Sequence, residues 1–203
     1  SISIDWSNVN GQMSNVALLD PFCGSGTVLT EAMALGIPRI IGTDVSADAV
    51  RDATANVTWL GERISTKHEI TITQCDVRQL TTCVRERVSA IATEPFLGPS
   101  RQPTADSRKL ADELRQLYIT AFQQFARVLV PGGRVVFVVP EFRSRNGAQA
   151  VDITDDVAQL GFRRVNPFPQ PLRTHHVLRE HGNLPYARAD QRVGRRILVF
   201  ERT

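Results

Sequence analysis

The stretch LLDPFCGSGT, residues 18–27, is the segment from which the architecture of this chain is most directly predicted. It has the order of a strand that ends in an acidic residue, a tight turn with two glycines, and the start of a helix that continues through the apolar-periodic run 28–35. Doubly wound parallel sheets place such a turn at the carboxyl edge of the strands, where it borders a nucleotide-like pocket. The stretch therefore predicts an α/β protein with a ligand pocket at this turn.

A dinucleotide-binding dehydrogenase would share this strand, turn and helix, but its glycines are spaced differently. The dinucleotide fingerprint has three glycines, of which the third allows the helix to pack closely on the strand. In this chain Gly24 and Gly26 are present, and Leu29 stands at the third place. The spacing argues against a pyrophosphate pocket, and a glycine turn of an ordinary α/β protein is the simpler alternative.

The composition limits the class of protein. The chain has 203 residues, 42% hydrophobic and 22% charged, which is enough to bury the core of one α/β domain over residues 1–203. No apolar run approaches the roughly 20 residues needed to cross a bilayer, and the N-terminus has no charged-then-apolar signal pattern. These features predict a soluble, cytoplasmic protein without a membrane partner.

The cysteines are few and irregularly spaced. Cys23, Cys75 and Cys83 form an odd set without paired spacing, so neither a disulfide framework nor a zinc site is expected, and no other metal is expected either. We expect Cys23 to fill a small space in the glycine turn, and the other two cysteines to be core residues.

Strand-like β-branched runs alternate with helical patterns along most of the chain, which predicts a mostly parallel sheet with helices on both faces. The predicted strands are Val16–Asp20, Ile40–Asp44, Ile70–Cys75, Ala90–Thr93, Arg134–Val139, Phe162–Asn166 and Arg196–Glu201. The predicted helices are Thr27–Leu35, Ala47–Trp59, Asp106–Leu129 (before a Pro-Gly-Gly turn) and Ala148–Leu160.

The octet from Asp20 to Thr27, Asp-Pro-Phe-Cys-Gly-Ser-Gly-Thr, resembles the first motif of the S-adenosylmethionine-dependent methyltransferases. It is similar to the version found in enzymes that methylate exocyclic amino groups of nucleobases. The resemblance implies a class I, Rossmann-like sheet of seven mostly parallel strands with an antiparallel last strand. It also implies S-adenosylmethionine as the cofactor, and this molecule has no phosphate that would need a third glycine.

Acidic residues follow the second and third predicted strands. Asp44 comes 24 residues after Asp20, and a carboxylate at that place accepts two hydrogen bonds from vicinal ribose hydroxyls. Asp44 is alternatively a helix-entry residue, with Ser46 as the N-cap of the next helix. Asp76 is placed to accept a hydrogen bond from the adenine amino group, and a turn aspartate is the alternative role.

The glycine turn completes the expected cofactor site. Gly24 and Gly26 let the backbone approach the methionine part, and the helix N-terminus at Thr27 favours its carboxylate. Val45 is expected to pack on the adenine face. The predicted cofactor-binding residues are Asp20, Phe22, Gly24, Gly26, Thr27, Asp44, Val45 and Asp76.

A second motif, TEPFLGP at residues 93–99, follows the fourth predicted strand. It resembles the catalytic motif of amino-group methyltransferases, which has Asp or Asn, two prolines, and then Tyr or Phe. An exocyclic amine shares its lone pair with the ring, so it becomes a nucleophile when acceptors hold its hydrogens. The Glu94 carboxylate and the Pro95 carbonyl are the predicted acceptors.

This second motif departs from the family pattern at two places. Glu94 is one methylene longer than Asp, and Leu97 stands where the stacking aromatic is expected, with Phe96 one residue early. We predict Glu94, Pro95 and Phe96 as catalytic residues, with Phe96 in place of the missing ring. The alternative is a plain exit from a strand, marked by proline and glycine.

Positive charge is concentrated in residues 161–203, which carry nine arginines against three acidic residues. Arginine binds phosphate through a planar fork, so this excess suits a nucleic-acid backbone, and a solvated basic surface is the alternative. The predicted substrate contacts are Leu97, Arg173 and Arg188, with Arg163, Arg164 and Arg192 as further candidates for phosphate contact.

The cofactor motif precedes the catalytic motif with no large insert between them, an order that resembles the tRNA guanine-N2 methyltransferases of the THUMP-containing group. The resemblance implies methylation of guanine N2 in tRNA by a catalytic domain that works with an N-terminal THUMP-like domain. We expect residues 1–203 to be that catalytic domain, without the RNA-binding one. The alternatives are a DNA adenine-N6 or cytosine-N4 methyltransferase, and a catalytically silent, cofactor-binding RNA-binding module.

Overall fold

The structure is a computed structural model that describes residues 16–65, 68–99, 107–144, 147–168, 184–186 and 193–203. The strands are β1 (Ala17–Asp20), β2 (Arg39–Asp44), β3 (Glu69–Gln74), β4 (Val88–Thr93), β5 (Leu129–Ser144), β6 (Gly147–Ala150), β7 (Phe162–Arg164), β8 (Leu184–Tyr186) and β9 (Val193–Arg202). The helices are α1 (Thr27–Ala34), α2 (Ala47–Gly61), α3 (Leu80–Cys83), α4 (Ser107–Val128) and α5 (Thr154–Gln159), with a 3-10 turn at Val77–Gln79.

Seven strands form one continuous sheet in the order β3-β2-β1-β4-β5-β9-β7. The pairs from β3 to β5 are parallel, and β9 is antiparallel to both of its neighbours. The predicted doubly wound, mostly parallel sheet with an antiparallel last strand is therefore confirmed. Two short strands extend it, because β6 pairs with β5 and β8 pairs with β9.

Helices cover both faces of the sheet and create two apolar layers. On one face α4 buries Leu114, Tyr118, Phe122 and Phe125, which recur at helical spacing and pack on β5 and β9. The Phe122 ring lies edge-on to Phe137 at 5.2 Å between centroids. On the other face α1 and α2 pack on β1 and β2. The edge strand β3 alternates exposed and half-buried residues because only one of its sides is covered.

The predicted helix Ala148–Leu160 is wrong in its first part. Residues 147–150 form β6, which pairs antiparallel with residues 141–144 of β5, and α5 covers only Thr154–Gln159. The Asp152 side chain accepts a hydrogen bond from the Thr154 N–H at 2.9 Å, which fixes where the helix can start. Strand pairing thus overrides the helix propensity of Ala148 and Ala150.

The expectation that Cys75 and Cys83 are unpaired core residues is also wrong. They form a disulfide, with Cα atoms 6.4 Å apart, because the 3-10 turn and α3 fold the chain back within eight residues. Cys23 is free and buried in the glycine turn, as predicted.

In the part of the chain that the structure describes, no helix combines the length and the apolar surface that crossing a membrane requires.

Candidate active site

The carboxyl ends of β1 to β4 meet at one edge of the sheet, where a cavity of about 490 Å³ opens. This volume lies in the range of small-molecule and cofactor sites. Its walls come from the glycine turn after β1, from the residues after β2, β3 and β4, and from α4. The lining residues are Pro21, Phe22, Gly24, Asp44, Val45, Cys75, Asp76, Val77, Arg78, Glu94, Pro95, Phe96 and Leu117.

The glycine turn is open toward the cavity and closed toward α2. Gly24 and Gly26 have φ angles of 51° and 87°, in the left-handed region that favours glycine. A Cβ at Gly26 would lie 3.1 Å from the Cβ of Ala53, whereas a Cβ at Gly24 would meet no atom within 4 Å. Asn56 on α2 donates a hydrogen bond to the Ser25 carbonyl at 2.9 Å. The backbone at Gly24 is therefore free for a ligand to approach.

Asp44 ties the glycine turn to the end of β2. Its Oδ2 accepts from the Gly24 N–H and its Oδ1 from the Ser46 N–H, both at 2.9 Å. Ser46 is the N-cap of α2 and accepts from the Ala49 N–H at 3.3 Å, so the helix-entry role of this segment is confirmed. A carboxylate offers about four acceptor positions, so Asp44 can still accept from ribose hydroxyls. Its ribose contact stays a prediction.

Asp20 lies behind the cavity wall, with only 2% of its surface exposed. Its Oδ1 accepts from the Thr93 hydroxyl at 2.6 Å and from the Phe22 N–H at 3.1 Å. Burial raises the pKa of Asp20 from 3.8 to about 7, and the nearby carboxylates Asp44 and Glu94 add to the rise, while the two hydrogen bonds oppose it. The carboxyl group under the cavity therefore titrates near neutral pH.

Asp76 is held by its own turn. Its side chain caps the 3-10 turn by accepting from the Arg78 N–H at 2.9 Å, and it also accepts from the Arg78 Nε at 2.9 Å. The hydrogen bonds from the Arg78 guanidinium lower the pKa of Asp76, which therefore stays ionised at neutral pH. The turn-aspartate role is confirmed, and the predicted contact to an adenine amino group remains a prediction.

The Glu94 carboxylate is paired with an arginine from a distant part of the chain. Arg195 Nε lies 3.0 Å from both carboxylate oxygens, and Nη2 lies 2.9 Å from Oε1. The side chain of Glu94 is 43% exposed and that of Arg195 is 31% exposed, so the pair lies at the mouth of the cavity.

The loop after β4 is anchored from below by a buried tyrosine. Tyr118 on α4 is fully buried, and its hydroxyl donates to the Phe96 carbonyl at 2.8 Å. Burial and the nearby Glu94 carboxylate raise the pKa of this phenol, so it stays a donor. The Phe96 ring itself is 57% exposed at the cavity mouth. The loop backbone is therefore fixed, while the ring is presented to solvent.

Most predicted site residues come together at this edge. Of the cofactor set, Phe22, Gly24, Asp44, Val45 and Asp76 line the cavity, as do the three predicted catalytic residues. Three other predicted residues, Gly26, Thr27 and Leu97, belong to the bordering turn and loop without lining it. Arg173 and Arg188 lie outside the described residues.

Sequence reasoning missed Arg78, Tyr118 and Arg195. The signal for Arg78 was present, because an aspartate can cap a turn by accepting from the N–H of the residue two places later, and an arginine there can also pair with it. Nothing in the sequence linked Arg195 to Glu94 or Tyr118 to Phe96, since these pairs are 101 and 22 residues apart and meet only in the folded chain.

The described C-terminal arginines are engaged within the protein. Arg163 pairs with Glu201 at 2.7 Å, Arg196 pairs with Glu141, and Arg202 donates to the Leu129 carbonyl. Burial lowers the pKa of Arg164, whose guanidinium is only partly accessible. The predicted phosphate contacts of Arg163 and Arg164 stay predictions, and Arg192 lies outside the described residues.

The cavity suits a ligand that carries positive charge and hydroxyl groups. Three carboxylates, Asp44, Asp76 and Glu94, line it. Arg78 pairs with Asp76 and Arg195 with Glu94, whereas Asp44 accepts from two backbone N–H groups, so its negative charge faces a ligand. S-adenosylmethionine carries a sulfonium, an ammonium and ribose hydroxyls, so the residues present fit this molecule. Among the residues that the structure describes, no group of three or more His, Cys, Asp or Glu side chains is arranged to hold a metal ion.

Residues 7–152 match one protein family, which is described as "RMKL-like, methyltransferase domain". Because the match covers more than half of the chain, the chain belongs to this methyltransferase family. The predicted class, an S-adenosylmethionine-dependent class I methyltransferase, and the predicted cofactor are confirmed.

A tRNA (guanine(10)-N2)-dimethyltransferase of Methanothermobacter thermautotrophicus is 27% identical over 135 residues, which are 66% of this chain and 36% of that protein. The chain thus spans about a third of the length of this relative. TrmN from Thermus thermophilus has the same fold, with a TM-score of 0.56 at 19% identity over 93% of this chain and 44% of that chain.

The magnesium protoporphyrin IX methyltransferase ChlM from Synechocystis PCC 6803, solved with bound S-adenosylmethionine, has a TM-score of 0.61 at 16% identity. The superposition covers 98% of this chain and 75% of that chain. At such identities these likenesses show the fold alone. The fold also serves a substrate that is not a nucleic acid, so the substrate of this chain has to be argued from the site.

Proposed function

We propose that this protein methylates the exocyclic amino group of a nucleobase, with guanine N2 in tRNA as the target. The observation that carries the proposal is that Glu94, Pro95 and Phe96 line the same cavity as the glycine turn and Asp44. A carboxylate, a proline and an exposed ring thus line the cavity beside the predicted cofactor residues, and this set suits amine methylation. The similarity to a tRNA (guanine(10)-N2)-dimethyltransferase supports tRNA as the substrate.

The residues at the mouth of the cavity have separate roles in methyl transfer. When bound, S-adenosylmethionine supplies an electrophilic methyl group on its sulfonium. The Glu94 carboxylate and the Pro95 carbonyl accept hydrogen bonds from the two N–H groups of the amine, which directs the nitrogen lone pair toward the methyl group. The methyl group replaces one of these hydrogens: its bond to sulfur breaks as its bond to nitrogen forms, and the proton of that N–H is released. Arg195 donates twice to Oε1 and once to Oε2, so Oε2 keeps an acceptor position for an amine hydrogen.

Other residues fix the reacting groups in place. The exposed Phe96 ring can stack on the base, and the Tyr118 hydroxyl holds the backbone beneath it. Asp44 is proposed to hold the ribose hydroxyls of the cofactor, and Gly24 its methionine part. Stacking of the base on the Phe96 ring and hydrogen bonds to the two acceptors together orient one amino group toward the methyl donor.

The decisive experiment measures transfer of a labelled methyl group into bulk tRNA and into duplex DNA, at low salt. We expect labelled tRNA, with the label on guanine N2 after digestion to nucleosides. Label in adenine N6 or cytosine N4 of DNA would support the alternative enzyme. Cofactor binding without transfer to either would support the silent RNA-binding module.

A Glu94→Gln variant tests the role of the carboxylate. The amide offers one acceptor oxygen and no charge, so turnover should fall by at least about 100-fold, whereas S-adenosylhomocysteine should still bind within about threefold of wild type. Glu86→Gln is a matched control, because Glu86 pairs with Arg39 before the start of β4, at the opposite end of the sheet from the cavity. Full turnover of the Glu94 variant would refute this mechanism.

A further inference from the structure

The strongest unexplained contact at the mouth of the cavity is the pair between Glu94 and Arg195. Two guanidinium nitrogens of Arg195 lie within 3.0 Å of the carboxylate. This is a fork geometry, in which an arginine fixes both the position and the plane of the carboxylate. It engages the residue that departs from the family motif by one methylene.

The sheet geometry explains why the acidic residue is long. Glu94 follows β4, Arg195 lies on β9, and β5 lies between these strands. Two strand spacings amount to about 10 Å, a gap that two extended side chains must bridge. An aspartate would leave the carboxylate short of the guanidinium by about one carbon–carbon step. The length of Glu94 therefore matches an arginine two strands away.

Arg196, the next residue on β9, pairs with a different carboxylate from Arg195. Successive residues of β9 face opposite sides of the sheet, so Arg195 and Arg196 point apart. Arg196 pairs with Glu141, which is buried beside the α4 layer, and Arg195 pairs with Glu94 at the cavity. Of these two arginines, Arg195 is therefore the one whose guanidinium reaches a carboxylate that lines the cavity.

We propose that Arg195 is a positioning residue that orients the Glu94 carboxylate and cancels its charge at the methyl-donor site. The inference rests on the proposed function, because Glu94 is there the acceptor of an amine hydrogen. Pairing has an electrostatic consequence that does not depend on turnover. A Glu94 carboxylate without Arg195 would favour the cationic S-adenosylmethionine over the sulfur-neutral S-adenosylhomocysteine, and the Arg195 guanidinium without the Glu94 charge would do the opposite.

The first test measures affinities for both forms of the cofactor by calorimetry, with the full chain. Arg195→Gln leaves Glu94 without this partner, so the preference for S-adenosylmethionine over S-adenosylhomocysteine should rise by about fivefold. Glu94→Gln should lower that preference by a similar factor. The double variant should return it to the wild-type value. A preference within twofold of wild type in both single variants would overturn the proposal.

The second test uses turnover on tRNA. Arg195→Lys keeps the charge but loses the fork, so kcat should fall at least about tenfold while KM for tRNA stays within twofold. Combining it with Glu94→Asp should add little to the worse single loss, because both changes break one unit. Arg115→Lys is the matched control. Arg115 makes the same kind of two-pronged contact with Asp156, with nitrogen–oxygen distances of 2.8 and 3.0 Å, and neither residue lines the cavity.

The two tests separate the possible failures. A rise in KM for tRNA with unchanged kcat would identify Arg195 as a phosphate contact and overturn the positioning role. Absence of any methyl transfer by the wild-type chain would count against the proposed function, whereas the cofactor preference would still decide whether Arg195 cancels the charge of Glu94.

Discussion

The buried carboxyl group of Asp20 should make the stability of this protein fall as the pH rises from acidic values toward neutrality. The folded state holds its proton up to a pKa of about 7, whereas the unfolded chain releases it near 3.8. The folded state therefore binds more protons between these values, so its free energy of unfolding falls as the pH increases from about 4 to 7. Above pH 7 the loss is complete, and below pH 4 it is absent.

The size of the effect follows from the shift. A difference from 3.8 to about 7 corresponds to about 4 kcal/mol of unfolding free energy, and roughly 2.5 kcal/mol of it falls between pH 5 and pH 8. Because only 2% of Asp20 is exposed, solvent screening reduces this value little. Asp20→Asn cannot ionise, so relative to wild type the variant should gain roughly 2.5 kcal/mol on going from pH 5 to pH 8.

Urea unfolding of wild type and Asp20→Asn at the two pH values measures this gain directly. Asp152→Asn is the matched control, because the Thr154 N–H lowers the pKa of Asp152 and both buffers lie above it. Its effect on stability should be the same at pH 5 and pH 8. A change for the Asp20 variant of less than about 1 kcal/mol between the two buffers would show that burial does not control this group.

Three further outcomes are expected. Asp44→Ala should weaken S-adenosylmethionine binding by about 2 to 3 kcal/mol, measured by calorimetry, with Asp48→Ala as an unaffected control; equal affinity of both variants would remove Asp44 from the pocket. Tyr118→Phe should cost about 1 kcal/mol of stability and slow methyl transfer through a looser catalytic loop; unchanged turnover would argue that the loop needs no anchor. Replacing Cys75 and Cys83 by serine should lower stability by about 2.5 kcal/mol in denaturant melts, and a reducing agent should then change only the wild-type protein.

The alternation of apolar runs with helical patterns was enough to predict the sheet, because each segment carries its own periodicity. The glycine turn and Asp44 were also predictable, since φ angles of 51° and 87° at Gly24 and Gly26 demand glycine at those positions. The local cap at Ser46 follows the same logic, because its partner Ala49 is three residues away. These features depend on neighbours in sequence, so the sequence alone contains their cause.

Local pattern failed where a partner lies elsewhere in the chain. Residues 147–150 read as helix, and they are a strand because β5 offers an edge to pair with. The disulfide between Cys75 and Cys83 depends on a 3-10 turn and a short helix that bring the two residues to 6.4 Å between Cα atoms. Spacing rules for cysteines do not detect such a fold-back.

The chemistry of the site divides in the same way. The sequence determined which acidic groups reach the carboxyl edge of the sheet, because each one ends a parallel strand or follows it within two residues. Only the tertiary structure decided their charge states and partners. The pKa of Asp20 is raised toward neutrality because the core surrounds the carboxyl group. Glu94 is paired because β9 lies antiparallel beside β5 and carries Arg195 to the mouth of the cavity. Burial and long-range pairing depend on how distant segments meet, and no local pattern encodes that meeting.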